Sequence, residues 1–130
     1  MKNTQKTLQS TEKRLKVHIE NKTYDVKLFD NPTANDLLSL LPLTLKFRDY
    51  GGQEKLAPSP RPLTMQGVPK GADPDVNDFA YYEPANVLVM YYRDIGYYNG
   101  IVRLGHFESS IEEIRNLTDG FSVTFEIAED

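Results

Sequence analysis

The sequence predicts an all-β protein that closes into a small barrel. Many short runs alternate apolar and polar residues, and Pro- and Gly-rich turns separate them. Eight Tyr and six Phe, with no Trp, add aromatic residues of the kind that favour strands. Only one or two short helical patterns interrupt the strands. At 130 residues the chain suits one domain, with a single core that needs no disulfide or metal.

The first 14 residues are polar and basic, without apolar periodicity and without the apolar stretch of a signal peptide. We therefore expect a disordered tail at 1–14 and a barrel domain at 15–130. This composition favours a cytoplasmic protein. The alternative is an exported protein whose leader preceded residue 1 and was removed.

The barrel domain opens with a predicted hairpin. Residues 15–19 and 24–28 alternate apolar and polar, and they flank a short polar turn. The alternation assigns inward faces to six residues, which are Leu15, Val17, Ile19, Tyr24, Val26 and Leu28.

A short helix is expected next, over 31–41. Asp30 or Asn31 can cap its start, Pro32 suits the first helical position, and Pro42 ends it. A helix of this length does not stand alone in water, so it should be docked on something, and an open end of the barrel is the natural place. The apolar stripe that would dock includes Leu37, Leu38 and Leu41.

A strand at 43–47 leads into the Gly51-Gly52 turn, and the next segment, 56–78, is dense in proline. Proline cannot donate to a sheet ladder, so this segment should cross the surface rather than join the sheet. Its apolar residues should fold back onto the barrel as the wall of a groove, since exposing them forfeits burial energy. These residues are Leu56, Leu63, Met65 and Val68.

The second half returns to strands. Residues 79–82 form a short strand, and 87–92 are apolar on both faces, which indicates a central strand covered on both sides. Residues 100–107 form another strand, in which Gly105 suggests a bulge or a tight corner. A short helical turn through Ile111, Ile114 and Leu117 then precedes the final strand at 121–127.

Composition excludes several classes of function. The absence of Cys removes disulfide scaffolds, thiolate zinc sites and cysteine nucleophiles. A net charge of −4, with no basic patch beyond the tail, argues against a nucleic-acid partner. No apolar run is long enough for a membrane-spanning helix. His18 and His106 lack the spacing of a metal site, and no phosphate loop or G-x-S-x-G motif is present, so we expect no metal and no cofactor.

The order of motifs resembles the bacterial cyclophilin-like proteins over about residues 15–127. The residues that carry the resemblance are Leu28, Asp30, Asn31, Ala34, Leu37, Leu41 and Pro42, then 47–55, 77–84 and 101–105. The resemblance implies a closed, eight-stranded barrel of the cyclophilin type, with one or two short helices at its ends. It does not imply an activity, because one fold hosts many functions.

The motifs that surround the proline-binding groove of authentic cyclophilins are incomplete here. Phe47-Arg48 lacks the intervening His of F-H-R, and Val68-Pro69 stand where the Gly-Asp of Q-G-G-D would be expected. A Met-Ala-Asn strand is absent. The isomerase residues therefore do not transfer one by one.

Five residues are candidates for a ligand site: Arg48, Glu54, Tyr81, Tyr92 and His106. Arg48 follows a strand end and could hold a carboxylate or a peptide carbonyl, although a surface ion pair with Asp49 or Glu54 is the simpler interpretation. Glu54 could serve acid–base chemistry, but the strand pleat should separate it from Lys55.

The tyrosines at 81–82, 91–92 and 97–98 form three pairs, and in a strand one member of a pair should face outward. The outward members could build an aromatic wall, while barrel packing is the ordinary alternative. His106 could line a groove, or simply occupy a strand surface.

These observations favour a non-catalytic module that binds an extended peptide or a small ligand. Its groove would lie between the Arg48 turn, the proline-rich segment and Tyr81 and Tyr92. The first alternative is a peptidyl-prolyl isomerase with a divergent site, in which Arg48 stabilises a twisted prolyl peptide. The second is a structural module that awaits a partner domain. An isomerase requires a groove with a buried arginine flanked by apolar residues, whereas a binding module requires only the groove.

Overall fold

The computed structural model describes residues 13–128. Eight antiparallel strands close into a barrel in the order β1-β10-β3-β4-β7-β6-β9-β2, and β5 and β8 form a separate two-stranded ribbon. The strands are β1 (Arg14–Ile19), β2 (Lys22–Leu28), β3 (Leu43–Tyr50), β4 (Glu54–Pro58), β5 (Gly71–Ala72), β6 (Asp78–Tyr82), β7 (Val87–Tyr91), β8 (Tyr98–Asn99), β9 (Ile101–Phe107) and β10 (Phe121–Ile127). One α-helix, α1 (Pro32–Leu38), and 3-10 turns at Glu83–Ala85 and Glu112–Asn116 complete the described chain. The predicted all-β, eight-stranded barrel is confirmed.

The first hairpin forms as predicted, and its six inward residues are all buried in the barrel core. The strand begins at Arg14, one residue before the expected boundary. The backbone N–H of Leu28 donates to the carbonyl oxygen of Lys13 over 2.9 Å, so the described chain is already hydrogen-bonded there. Most of the predicted 1–14 tail lies outside the described residues.

Helix α1 is shorter than predicted. The Asn31 side chain accepts a hydrogen bond from the Ala34 N–H over 2.8 Å, and Pro32 opens the helix. The helix ends at Leu38, because the N–H groups of Leu40 and Leu41 bond three residues back rather than four. Leu37 is fully buried, whereas Leu38 and Leu41 are only partly buried against the same core. All three predicted docking leucines therefore contact the core, and Leu37 is the one that is fully buried.

The prediction that β7 is covered on both sides is confirmed, because all five of its residues are buried. Leu88 and Met90 point into the barrel core. On the outer face, Val87, Val89 and Tyr91 belong to a second apolar cluster, which also contains Leu56, Ala80 and Ile101. The outer face of the barrel therefore carries an apolar cluster of its own, separate from the core inside the barrel.

The proline-rich segment departs from its prediction in two places. Residues 56–58 belong to β4 and 71–72 form β5, so parts of the segment do pair with strands. The remaining apolar residues behave as predicted, since Leu63 is buried and Met65 and Val68 pack against the barrel core. Proline at 58 is accommodated because it stands at the end of its strand.

Residues 61–64 are tied to α1. The Arg61 guanidinium donates to the Asp36 carboxylate over 2.8 and 3.1 Å, and the Thr64 N–H donates to the same carboxylate over 2.8 Å. In return, the Thr33 hydroxyl donates to the Thr64 carbonyl oxygen over 2.6 Å. The segment therefore covers the barrel end at which β2 finishes and β3 begins.

The predicted irregularity at Gly105 is a β-bulge. Phe79 pairs with Gly105 and Ala80 pairs with Arg103, which leaves Leu104 as the extra residue of β9. The bulge turns Leu104 into the core, where it is fully buried.

Candidate functional site

A cleft lies on the outer face of the barrel, across β3, β4, β7, β6 and β9. The antiparallel registers arrange outward side chains in rows that cross the strands. The rows are Tyr50–Glu54–Tyr91, Arg48–Leu56–Val89–Ala80 and Val87–Tyr82–Ile101. The floor is therefore the outer apolar cluster, with polar side chains at one margin.

The loop between β7 and β9 forms the facing wall. Ile95 and Tyr98 from this loop line the cleft, whose volume is about 300 Å³. The ribbon of β5 and β8 holds the loop in place, and the ribbon is tight because a Cβ at Gly71 would lie 2.4 Å from the Tyr98 carbonyl oxygen. The wall is thus anchored by backbone pairing.

Polar groups in the cleft lack protein partners. Among residues 13–128, the Arg48 guanidinium, the Glu54 carboxyl and the Tyr91 hydroxyl have no hydrogen bond or ion pair. Burial, with a smaller contribution from the negative charge of Asp49, raises the pKa of Glu54 to about 7. Burial and the neighbouring Glu54 carboxylate raise the pKa of Tyr91 well above its usual range. The cleft accordingly holds both a cation and a carboxyl that titrates near neutrality.

The structure brings Arg48 and Glu54 together in the cleft, as two of the five predicted site residues. Arg48 is not paired with Asp49 or Glu54, the ion pair considered as its simpler role. Lys55 points to the opposite face from Glu54, as the strand pleat predicted.

The other three predicted site residues lie outside this cleft. Tyr81 is fully buried in the barrel core, where its hydroxyl donates to Asn86 Oδ1 over 2.7 Å. Tyr92 is buried at a barrel end, and its hydroxyl donates to Asp49. His106 sits on the surface of β9, where its Nδ1 lies 2.7 Å from Asp78 Oδ1.

From two of the tyrosine pairs, the sequence analysis selected the member that lies outside this cleft. Tyr82 and Tyr91 line the cleft, while their neighbours Tyr81 and Tyr92 do not. It also missed Ile95 and Ile101. The pairing of Tyr81 with Leu88 and of Tyr82 with Val87 follows from the strand register, which a single sequence does not reveal when both faces are apolar.

The proline-rich segment does not wall the cleft, contrary to the prediction. Of its residues only Leu56 lines the floor, and that residue belongs to β4. The hydrogen bonds to Asp36 direct the rest of the segment towards α1 instead.

A second, polar pocket of about 400 Å³ lies at the barrel end opposite α1. Lys55 is buried there, and its ammonium donates to the carbonyl oxygens of Leu117 and Arg115 over 3.2 and 3.5 Å. Asp49 Oδ1 lies 3.4 Å from the same ammonium. These contacts join the loop that precedes β10 to β4, so the buried charge has an architectural role.

Asp78 organises a third polar cluster and is fully buried. Its carboxylate accepts hydrogen bonds from Arg103 Nε over 2.5 Å and from the Asp75 N–H over 2.9 Å, and it contacts His106. The cluster fastens the 73–78 loop to β9. Within residues 13–128 no three His, Asp or Glu side chains are grouped so as to hold a metal ion. None of the helices in that range has the length and apolar character needed to cross a membrane.

Comparison with known proteins agrees with the architecture. The sequence matches the family model described as the cyclophilin-like family over residues 17–126. The solution structure of a hypothetical protein from Archaeoglobus fulgidus superposes with a TM-score of 0.70 at 20% sequence identity, and the match covers 91% of this chain and 96% of that one. No functionally curated protein matches the sequence. The likeness at this identity concerns the fold alone.

Proposed function

Because the chain belongs to the cyclophilin-like family, whose fold by itself specifies no activity, we propose that it is a non-catalytic binding domain. Its site is the cleft on the outer face of the barrel. The ligand is an extended peptide or a small molecule with an apolar body and at least one polar group that Arg48 can contact.

The observation that carries this proposal is the set of polar groups without protein partners around an apolar floor. Polar side chains in a folded protein usually bond to the protein when they are withdrawn from water. Glu54 is half-buried and the Tyr91 side chain is buried, yet neither polar group has a protein partner, and Arg48 at the exposed margin is also unpaired beside the apolar floor. An apolar concavity with a few convergent polar groups is the usual form of a small-ligand site.

Binding is favoured over prolyl isomerisation by the position of Arg48. An arginine that stabilises a twisted prolyl peptide should be held between apolar residues, away from water. Arg48 is instead an exposed residue at the cleft margin. The arrangement supplies a contact for a carbonyl or carboxylate, and it lacks the desolvated cation that would strengthen an electrostatic contribution to catalysis.

The test is a screen of blocked and unblocked tripeptides and small aromatic acids against ¹⁵N-labelled protein. We expect amide chemical-shift changes at the cleft residues Glu54, Tyr82, Tyr91 and Ile101. Arg48→Gln should weaken binding of the hits that carry a carboxylate. Lys46→Gln is the matched control, because it removes an exposed cation two residues earlier on β3 that does not line the cleft.

Two results would reject the proposal. One is a screen in which no compound perturbs the cleft at millimolar concentration. The other is a set of hits whose shifts map to the Lys55 end of the barrel and ignore Arg48→Gln.

A further inference from the structure

We propose that the ligand of the outer-face cleft is an anion whose carboxylate contacts Arg48, and that its binding is coupled to protonation of Glu54. This inference rests on the proposed binding function and adds the charge of the ligand and the fate of a proton. Its geometric basis is an unpaired cation and an unpaired carboxyl on one apolar floor.

Arg48 and Glu54 are diagonal neighbours on the outer face. Arg48 pairs in register with Leu56, and Glu54 pairs with Tyr50. The two charged side chains therefore lie on adjacent strands with an offset of two residues. They nevertheless form no ion pair, since no oxygen of Glu54 lies within 4 Å of the Arg48 guanidinium. The guanidinium therefore remains available to an anion from outside the protein.

The surroundings of Glu54 disfavour the ionised form of its carboxyl group. The titratable groups that share the cleft with it are Arg48 and Tyr50 on β3, Tyr82 on β6, Tyr91 on β7 and Tyr98 in the facing wall. Asp49 lies on the opposite face of β3 and acts on Glu54 through its charge. Burial raises the pKa of Tyr91 above its ordinary value, so this phenol adds no charge beside Glu54 at neutral pH. Arg48 stands at the exposed margin, and the burial of Glu54 together with the charge of Asp49 already raises the pKa of Glu54 to about 7.

A bound carboxylate would raise the Glu54 pKa further. It adds negative charge beside Glu54 and excludes water from the floor, and both effects favour the protonated carboxyl. The protonated form can then donate its O–H to the ligand, which an ionised Glu54 cannot do. An anionic ligand thus selects the protein with a proton on Glu54, and a cationic ligand would select the ionised form.

This coupling fixes the sign of the pH dependence. When only the protonated form accepts the anion and the free pKa is near 7, affinity falls about tenfold between about pH 6 and about pH 8. About half a proton is taken up per ligand bound at pH 7, because Glu54 is about half protonated beforehand. A cationic ligand would show increasing affinity over the same range.

The experiment uses N-acetylphenylalanine and its uncharged amide as a matched pair of probes. Calorimetry at several pH values, in buffers of different ionisation enthalpy, measures affinity and proton uptake together. We expect the carboxylate to bind more tightly than the amide, with the pH dependence given above. Glu54→Gln should retain binding but lose both the pH dependence and the proton uptake, and its amide spectrum verifies that it folds. Arg48→Gln should remove the preference for the carboxylate, and Lys46→Gln should not.

The outcomes separate the two proposals. Equal affinity for acid and amide, or affinity that rises with pH, overturns the inference while the binding function stands. A pH dependence that survives Glu54→Gln overturns it as well. If neither probe perturbs the cleft at millimolar concentration, the inference and the binding function that it rests on both fail for this ligand class.

Discussion

Glu54 and Lys55 are adjacent in β4 yet occupy different environments. Glu54 faces the outer cleft, and Lys55 faces the barrel end, where backbone carbonyls accept its hydrogen bonds. The separation follows from the two-residue period of a strand. A substitution at 54 therefore probes the proposed ligand site, while one at 55 probes the closure of the barrel.

Glu54→Gln should change stability in a pH-dependent way. The folded protein holds the Glu54 pKa at about 7, above its ordinary value of 4.5, so the native state retains its proton to higher pH. The stability that this protonation contributes is present below about pH 4.5 and is lost as the pH rises through about 7. The free energy of unfolding of the variant minus that of the wild type should therefore be larger at pH 8 than at pH 5. Urea midpoints at both pH values measure this, and a constant difference would contradict it.

Gly105→Ala should destabilise the barrel. A Cβ at this position would lie 2.7 Å from the Lys27 carbonyl oxygen and 2.9 Å from Val26 Cγ1, so the neighbouring strand must shift. Overpacking of this kind costs about 1–3 kcal/mol. Chemical denaturation measures the decrease in the free energy of unfolding. A variant as stable as the wild type would show that β2 can shift without cost to make room for the methyl group.

The candidate site was only partly predictable at the level of single residues. Arg48 and Glu54 flank a Gly-Gly turn, so their place on one hairpin could be read from the sequence. The choice between Tyr81 and Tyr82 could not, because β6 and β7 are apolar on both faces and their hydrophobic pattern does not indicate which face is outside. The pairing register decides it.

At the level of elements, α1 and the proline-rich segment act together. Asp36 links them, since its carboxylate accepts from Arg61 and from the Thr64 N–H. These hydrogen bonds, with a smaller charge contribution from Arg61, hold the pKa of Asp36 below its usual range. The helix and the segment thus form one cover over a barrel end.

Leu37→Ala should cost more than Leu38→Ala. Leu37 is fully buried in the barrel core, and truncating such a leucine costs about 2–5 kcal/mol. Leu38 is only partly buried, so its truncation leaves a smaller cavity and should cost less. Urea denaturation of both variants gives the comparison. Equal losses would mean that the helix docks through both residues.

The sequence specified the kinds of element better than their limits. The Asn31 cap and Pro32 marked the start of α1 correctly, because capping is a local effect. The helix end was placed too late, since the leucine spacing continues through a turn that is no longer α-helical. Residues 71–72 pair with 98–99, which are distant in the chain, and no local sequence pattern predicts this contact.

At the level of the whole molecule, we expect prolyl isomerase activity to be absent or far below that of an authentic cyclophilin. The chain lacks Met-Ala-Asn, lacks Trp and carries Val68-Pro69 where Gly-Asp would be expected, and its Arg48 is exposed. An isomerisation assay on a short proline peptide checks this. A robust rate that disappears in Arg48→Ala would restore the isomerase interpretation.

The barrel class followed from alternation and turns, while the number of strands followed from the resemblance to a family. Closure itself depends on pairing between β1 and β10, which are far apart in the chain. Local sequence carries little information on such a contact. It is the order of several motifs, rather than any single one, that indicated this arrangement.

The pairing of β1 with β10 makes the first and last strands of the barrel neighbours. The Ala128 N–H donates to the Arg14 carbonyl oxygen over 2.9 Å, so the chain enters and leaves the barrel at one place. In a circular permutant, a short linker would join Ala128 to Arg14, and the chain would be opened at the exposed turn Glu20–Asn21. β10 and β1 would then form a hairpin. Every strand keeps its neighbours, so we expect the same barrel and the same cleft. Amide spectra that match the parent away from the new junctions would establish this, and a collapsed spectrum would show that the β1–β2 turn is needed for folding.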